Sequence, residues 1–241
     1  MTRKAVIVAA GLSSRLYPLT IDTPKPLLTI GDETMLARSI RLLRAAGISE
    51  IAVVVGFRPD SIREAVGGSA TLVPNPFYRH CNNMGSLMMA RAFAGDSPFL
   101  YLHGDLVYGE DMLRGFVEAT AQPNGSCLDL LTAFGQVDDE AMKVRTDDRR
   151  RLIESSKSIP LSEASGEWTG ISAVQNAALV FGAIEKYMMT VSLTDYDTAA
   201  FTALASSGHE VRCIGASDDP WKEIDTVEDL EEARAAFGER R

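Results

Sequence analysis

The sequence has 241 residues, of which 46% are hydrophobic, so it can bury the core of one large α/β domain or two small ones. A formal net charge of −9 disfavours a nucleic-acid partner, because phosphate backbones are bound by basic surfaces. The apolar runs are shorter than the roughly 20 residues that a membrane-spanning helix needs, so we expect no membrane partner.

Buried strands alternate with helices in the first half of the chain. Apolar runs over 5–10, 51–55 and 99–102, the last followed by His103, are typical of parallel strands buried on both faces. Helical periodicity over 34–46 separates the first two runs, and Gly47 ends it. Such alternation predicts parallel pairing with right-handed crossovers. We therefore expect an α/β fold: a single Rossmann-like domain with a mostly parallel mixed sheet flanked by helices.

The remaining elements are predicted with the same rules. Between the runs above, we expect Asp60 to cap a helix over 61–66, followed by a strand over 70–73 and a helix over 86–93. After residue 110, the predicted elements are a helix over 111–120, a strand over 128–134, a hairpin of 142–145 with 152–155, a strand over 172–181, helices over 183–189 and 198–206, a strand over 210–214 and a helix over 226–237. No repeat or linker divides the sequence, so we expect one domain over 1–241.

The loop after the first predicted strand has the composition of a phosphate site. Its small and polar residues are Ala10, Gly11, Ser13 and Ser14. Backbone N–H groups in a Gly/Ser loop can form a concave anion site. Arg15 adds a guanidinium that binds phosphate oxygens bidentately, and Lys25, between two prolines, adds a positive charge at a fixed place. The pattern is neither a Walker loop nor a Rossmann glycine motif.

Segments 10–16 (AGLSSRL) and 23–28 (TPKPLL) together resemble the signature of the nucleotidyltransferases that activate sugar phosphates and small phospho-compounds. The resemblance covers nearly the whole chain and is tight at the N-terminus, around Asp105 and around Asp225. It implies a nucleotide-binding half over about 1–110 and an acceptor-binding half over about 111–241. In that family pattern, Arg15 holds the leaving pyrophosphate, Lys25 stabilises the α-phosphate, and the loop residues above bind the nucleotide.

Two aspartates lie at the ends of predicted elements, where a ligand can reach them. Asp105 comes just after the apolar strand at 99–103, at the usual ligand edge of an open α/β sheet. Asp225 precedes Thr226, which with Asp229 forms a capping-box pattern, so the carboxylate of Asp225 is free to bind an ion. The resemblance implies that Asp105 and Asp225 hold Mg²⁺, a cation that prefers oxygen ligands.

The segment 82–87 (NNMGSL) resembles the branch of the family that uses CTP with phosphocholine, inositol phosphate or aminophosphonates. It implies that Asn83, Gly85 and Ser86 contact the nucleotide. Amide side chains offer both donors and acceptors, which suits a pyrimidine edge. Two alternatives stay open: a sugar-1-phosphate nucleotidyltransferase that uses UTP, dTTP or GTP, and a nucleotide-binding regulatory module without catalysis.

The acceptor residues are also implied by the resemblance. Lys157 resembles the lysine that meets the acceptor phosphate, and Glu167 lies in a Gly-Glu…Gly segment similar to one that lines the acceptor pocket. Tyr196 and Trp221 are aromatic candidates for contact with a cationic head group. The implied acceptor is a small phosphate or phosphonate, such as phosphocholine or an aminophosphonate.

Cysteine and histidine usage indicates neither disulfides nor a metal motif. Three cysteines at irregular spacing fit a reducing compartment, and the N-terminus leads directly into a strand without a signal-peptide pattern, so we expect a cytoplasmic protein. The three histidines show no ligand spacing. We expect a monomer or a homodimer.

Overall fold

The computed structural model describes residues 3–122 and 125–238. Within those ranges the strands are β1 (Lys4–Ala9), β2 (Thr29–Ile30), β3 (Glu33–Thr34), β4 (Glu50–Val55), β5 (Thr71–Pro74), β6 (Phe99–His103), β7 (Leu106–Tyr108), β8 (Leu128–Phe134), β9 (Lys143–Thr146), β10 (Leu152–Ser155), β11 (Gly166–Val174), β12 (Val211–Gly215) and β13 (Trp221–Glu223). The helices are α1 (Met35–Ala45), α2 (Pro59–Val66), α3 (Asn83–Met89), α4 (Arg91–Ala94), α5 (Glu110–Ala119), α6 (Ala177–Thr190), α7 (Asp197–Ser206) and α8 (Val227–Phe237).

Nine of these strands form one mixed sheet. Its order is β10-β9-β11-β6-β1-β4-β5, and β8 and β12 extend it from β11. Strands β6, β1, β4 and β5 pair in parallel, whereas β11 runs antiparallel to β6, β8 and β9. Because one sheet takes strands from both halves of the chain, residues of both halves can meet at its edge. The predicted fold class is confirmed.

Helices cover both faces of the sheet. Along β1, Val6 and Val8 pack into a cluster with α3, α6 and α7, while Ala5 and Ile7 pack into a second cluster with α1, α2 and α5. Full burial of one such aliphatic side chain contributes about 1.5–3 kcal/mol to stability. A strand buried on both faces needs apolar residues at every position, which explains the unbroken apolar run in the sequence.

One predicted strand is wrong at both ends, because β11 begins at Gly166 and not at residue 172. The prediction placed a strand over 172–181 and a helix from 183, but β11 ends at Val174 and α6 begins at Ala177. Gln175 and Asn176 lie between β11 and α6. The side-chain oxygen of Asn176 accepts a hydrogen bond from the N–H of Leu179 and so caps the helix. Short apolar runs lie on either side of Gln175 and Asn176, and periodicity cannot distinguish a buried strand from a buried helix in such runs.

Two helix predictions also need correction. Asp60 does not cap α2; the helix begins at Pro59, and Arg58, with a φ of 48°, precedes it. Proline suits the first helical position because its missing N–H would be unpaired there anyway. The helix predicted over 86–93 is two helices that meet at Ala90. None of the helices in the described ranges has the length and apolar content to cross a membrane.

The short pair β7–β13 brings the C-terminal segment to the edge where β1 and β6 end. The two strands are antiparallel, with Glu223 opposite Leu106. Just beyond this pair, the N–H of Ile224 donates to the carbonyl of Asp105 at 3.0 Å. This connection places Asp225, the residue after Ile224, beside Asp105, and both carboxylates contact Lys25, although the two aspartates are far apart in the sequence.

Candidate active site

Lys25 lies at the centre of the site. It opens a short 3₁₀ turn, Lys25–Leu27, and is buried. Its Nζ donates to the carbonyl of Ile224 at 2.6 Å and lies 2.7 Å from Asp105 Oδ2 and 3.0 Å from Asp225 Oδ1. These three contacts match the three N–H donors of an ammonium group. The structure therefore brings together Lys25, Asp105 and Asp225.

The charges of these three residues support one another. Burial would lower the pKa of Lys25, but the carboxylates of Asp105 and Asp225 outweigh it and hold that pKa above its ordinary value. Burial would likewise raise the pKa of Asp105, but Lys25 and then His103 hold it below its ordinary value. The lysine and Asp105 are therefore both charged at neutral pH.

Arg15 reaches the same group of residues from solvent. Its Nη2 lies 2.8 Å from Asp225 Oδ2, and the Arg15 side chain is 62% exposed. The neighbours of the two residues, Leu16 and Ile224, are buried in one apolar cluster with α8. Packing of those neighbours fixes the approach of Arg15 to Asp225, and the exposed guanidinium can still meet an incoming anion.

The loop that carries Arg15 is irregular, as expected for a segment that follows a strand end. The carbonyl of Ala10 accepts a hydrogen bond from the N–H of Phe57, and a Cβ added at Gly11 would meet no atom within 4 Å. Ser13 has a φ of 53°, and its carbonyl accepts a hydrogen bond from the hydroxyl of Thr20 at 2.7 Å. Ser14 begins the 3₁₀ turn that contains Arg15.

The other predicted nucleotide residues lie at the start of α3. The amide nitrogen of Asn83 lies 3.2 Å from Nε2 of His103. Gly85 packs so closely that an added Cβ would stand 2.5 Å from the Cβ of Cys81. The hydroxyl of buried Ser86 accepts a hydrogen bond from the side chain of Asn75 at 3.0 Å. Asn83 thus faces the site, whereas Gly85 and Ser86 contact the segment that follows β5; their nucleotide-binding role stays a prediction.

His103 belongs to the site, although the histidines show no ligand spacing in the sequence. Its Nε2 lies 3.0 Å from Oδ2 of Asp197, and the hydroxyl of Tyr101 donates to the same oxygen. Asp197 is fully buried. Burial would lower the pKa of His103, but the Asp197 carboxylate outweighs it and raises that pKa to about 9.

Glu223 is a second site residue that the sequence reasoning missed. One ligand atom from each of His103, Asp105 and Glu223 lies within 4.8 Å of the other two. Burial, together with the carboxylates of Asp105 and Asp225, raises the pKa of Glu223 to about 7. His103 and Glu223 each stand two residues before a predicted aspartate. Side chains two apart in a strand share a face, and that spacing was the available signal.

The donor set fits a hard divalent cation. Asp105 Oδ1 is buried and has no hydrogen-bond partner among the described residues. A buried carboxylate oxygen without a donor is costly unless a ligand satisfies it. The carboxylates of Asp105, Asp225 and Glu223 supply the oxygen atoms that Mg²⁺ prefers, and Mg²⁺ is commonly held by one or two protein carboxylates plus phosphate oxygens.

All four predicted acceptor residues line two adjoining cavities beside this group. Arg15, Lys157, Glu223 and Asp225 line both cavities. Glu167 and Trp221 line the larger one, of about 460 Å³, with Asp138, Glu140 and Lys222; Tyr196 lines the smaller one with Asn83, His103 and Trp168. The structure brings these residues together, and their contact with an acceptor stays a prediction.

Charges in the larger cavity are mixed. Burial and then the nearby Asp138 raise the pKa of Glu167 to about 7, against the opposing effect of Lys157 and Lys143. The Nζ of Lys157 lies 3.9 Å from Oε2 of Glu140 and 5.9 Å from the centre of the Tyr196 ring. The cavity therefore offers a cation for a phosphate and carboxylates for a positively charged group.

Comparisons with known proteins identify relatives of this chain. The chain is 29% identical over 258 aligned positions to CMP-5'-(3-aminopropyl)phosphonate synthase of Streptomyces rubellomurinus, across 99% of this chain and 39% of that protein. It is 30% identical over 125 positions to N-acetylmuramate alpha-1-phosphate uridylyltransferase of Neisseria meningitidis, across 50% of this chain and 54% of that protein. The chain thus spans about two fifths of the first relative and matches about half of the second.

The fold recurs in solved structures. The inositol-1-phosphate CTP transferase from T. maritima superposes with a TM-score of 0.81 at 19% identity, over 99% of this chain and 97% of that chain. At such identity the likeness concerns the fold alone. The family model described as the MobA-like NTP transferase domain matches residues 5–153, which include all of β1 after Lys4, the loop with Arg15 and Lys25, and Asp105. This chain therefore belongs to the family of MobA-like NTP transferase domains.

Proposed function

We propose that this chain is a nucleotidyltransferase that moves a nucleotidyl group from a nucleoside triphosphate, preferably CTP, to a small phosphate or phosphonate and releases pyrophosphate. The observation that carries the proposal is the contact of one buried lysine, Lys25, with the carboxylates of Asp105 and Asp225, beside the exposed guanidinium of Arg15. Cations and carboxylates at the ligand edge of an α/β sheet are what a triphosphate with its counter-ion requires.

In the proposed reaction, an acceptor oxygen attacks the α-phosphorus, and the bond from that phosphorus to the pyrophosphate oxygen breaks. The acceptor is already anionic at neutral pH, so no strong general base is needed. Catalysis then depends on positioning and on stabilisation of developing charge. Arg15 would bind the leaving pyrophosphate. Lys25 would exchange one of its protein contacts for an oxygen of the α-phosphate.

The proposed cofactor is Mg²⁺, held by Asp105 and Asp225. When bound, the cation would offset negative charge on the phosphates. The proposal is supported by the buried Oδ1 of Asp105, which has no hydrogen-bond partner in the described part of the chain, and by the proximity of both carboxylates to one ammonium group. Since Lys25 occupies those carboxylates in this structure, we expect the lysine to turn toward the nucleotide when they hold the cation.

The proposed acceptor carries a phosphate or phosphonate at one end and a positively charged group at the other. Lys157 would bind the anionic end. The carboxylates of Asp138, Glu140 and Glu167, which line the larger cavity, suit an ammonium group, and Trp221 offers an aromatic face. The name of the relative that aligns with 99% of this chain, a CMP-aminopropylphosphonate synthase, supports both CTP and such an acceptor.

A sugar-1-phosphate acceptor is the second candidate, because one relative is a uridylyltransferase of a sugar phosphate. Pyrophosphate release should be measured for the four nucleoside triphosphates against 2-aminoethylphosphonate, phosphocholine and hexose 1-phosphates. We expect release with CTP and an amino-bearing acceptor. Release with UTP or dTTP and glucose 1-phosphate at an equal or higher rate would favour the second candidate, and nucleotide binding without release would indicate a regulatory module.

A further inference from the structure

Asp197 is a fully buried carboxylate on the acceptor side of the site. It is the first residue of α7, directly after Tyr196, which lines the smaller cavity. Its Oδ2 accepts a hydrogen bond from the Tyr101 hydroxyl and faces Nε2 of His103 at 3.0 Å, while its Oδ1 accepts one from the N–H of Thr198. A carboxylate out of water is costly unless donors surround it, and two of these donors come from β6.

His103, which Asp197 contacts, forms part of the wall of the smaller cavity. The ring of His103 packs edge-on against Trp168, with the ring centres 4.9 Å apart, and lies beside the amide of Asn83. Gly170, with a φ of 82°, sits close to the same ring, since an added Cβ there would stand 3.4 Å from His103 Cγ. The ring is thus confined by β11 on one side and by α3 on another.

We propose that Asp197 is a positioning residue, which fixes the His103 ring as the inner wall of the acceptor cavity and so joins the end of β6 to the start of α7. The role of the cavity rests on the proposed function; the position of the ring does not. Loss of the Asp197 carboxylate would let the ring turn away from Trp168 and Asn83, and the acceptor would lose a preformed wall.

Asp129 offers a matched control for the substitution of Asp197. Asp129, on β8, is also fully buried, and its carboxylate accepts hydrogen bonds from Ser126, Arg212 and Gln175. Asp197→Asn and Asp129→Asn each remove one fully buried negative charge. Both should lower the free energy of unfolding, but we expect only Asp197→Asn to affect the cavity wall.

Trp168 reports the position of the ring without any need for activity. The chain has two tryptophans, so Trp221→Phe leaves Trp168 as the one tryptophan, which can be excited selectively at wavelengths that tyrosine does not absorb. In that background, Asp197→Asn should change the Trp168 emission intensity, and Asp129→Asn should not. Tyr101→Phe keeps the aromatic ring and removes one donor, so it should change the emission in the same direction by less. This variant tests the proposal if Asp197→Asn fails to fold.

Kinetics supply the second readout. In the chain with both tryptophans, Asp197→Asn should raise the KM for the acceptor about tenfold, the effect of one lost charge-assisted hydrogen bond, and leave the KM for the nucleotide within about twofold. The proposal is overturned if Asp197→Asn leaves the emission unchanged, or if Asp129→Asn alters emission and acceptor KM equally. If no acceptor is turned over but Asp197→Asn alone alters emission, the positioning role stands and the proposed function fails.

Discussion

The ammonium of Lys25 and the carboxylate of Asp105 form a 2.7 Å ion pair that joins the N-terminal loop to the end of β6. Asp225 contacts the same ammonium, so one lysine holds three segments of the chain together. Protein atoms match all the donors of Lys25 in this structure. In the proposed reaction, a phosphate that binds Lys25 would replace one of its present partners, and this exchange would link nucleotide binding to the arrangement of the two carboxylates.

Substitution of Lys25 by Met should lower kcat by 10²–10³, because one transition-state charge contact contributes about 3–4 kcal/mol. The variant should fold, with a smaller free energy of unfolding, since Asp105 and Asp225 lose their shared cation. Lys4→Met is the control: Lys4 Nζ donates to the carbonyls of Phe93 and Ala94, where β1 begins. An unchanged kcat in folded Lys25→Met would rule out the catalytic role.

Substitution of Asp105 or Asp225 by Asn should shift the Mg²⁺ concentration needed for half-maximal activity upward, because an amide is a weaker ligand for a hard cation than a carboxylate. Activity should be titrated against Mg²⁺ for each variant. Asp147→Asn, in the turn between β9 and β10, serves as the control. Wild-type Mg²⁺ curves in both site variants would place the cation elsewhere.

Much of the N-terminal half of the chain could be predicted because local patterns determine it. Neighbouring residues in the sequence are enough to recognise the apolar run of β1, the prolines that flank Lys25 and the position of Asp105 just after a strand. The capping box of Thr226 and Asp229 also forms as its spacing predicts. What could not be predicted depends on pairing between distant segments. Strands β7 and β13 have three residues each, and their pairing is set by tertiary contacts.

The dependence on contacts between distant segments also explains why the sequence did not indicate His103 and Glu223 as site residues. His103 looked like the end of a strand, and nothing in its neighbourhood indicated that Asp197, on α7, would bind its ring. Glu223 acquires its shifted pKa only from burial beside Asp105 and Asp225. Side chains of this kind become recognisable when the fold brings the partner close, whereas loop motifs are recognisable from composition and spacing alone.

The pKa of Glu167, about 7 in the folded protein, predicts a pH-dependent stability. A carboxyl whose folded pKa is raised stabilises the fold fully below its unfolded pKa of 4.5, and this contribution is lost as pH rises to about 7. The free energy of unfolding of the wild type, relative to that of Glu167→Gln, should fall by about 1–2 kcal/mol over that window, allowing for partial exposure. Urea unfolding of both proteins at several pH values measures it. Parallel curves would contradict the shift.

Substitution of Lys157 by Met should raise the KM for the acceptor about tenfold, because a charge-assisted contact to its phosphate or phosphonate is lost, and leave the KM for the nucleotide nearly unchanged. Steady-state kinetics with each substrate varied in turn separate the two effects. Lys186→Met, on α6, removes an equivalent charge at a distance from the two cavities beside Lys25. A rise in the nucleotide KM instead would assign Lys157 to the nucleotide.

The proposed preference for CTP rests on hydrogen bonds between the site and one edge of the pyrimidine. An unpaired buried polar group costs about 1–3 kcal/mol, so CTP should exceed UTP in kcat/KM by roughly tenfold to a hundredfold. The comparison requires one fixed acceptor, saturating Mg²⁺ and the same enzyme preparation for all four nucleotides. Equal kcat/KM values for CTP and UTP would show that the site does not read the base in this way.

The proposed activity is tested most directly by pyrophosphate release from CTP, in the presence of Mg²⁺, with 2-aminoethylphosphonate or phosphocholine, run in parallel with UTP or dTTP and glucose 1-phosphate. Lys25→Met serves as the negative control. We predict release that depends on the acceptor, that is fastest with CTP and that is lost in the Lys25 variant. The proposed function would be contradicted by release that is as fast or faster with a sugar phosphate and UTP or dTTP, or by release that persists in the Lys25 variant.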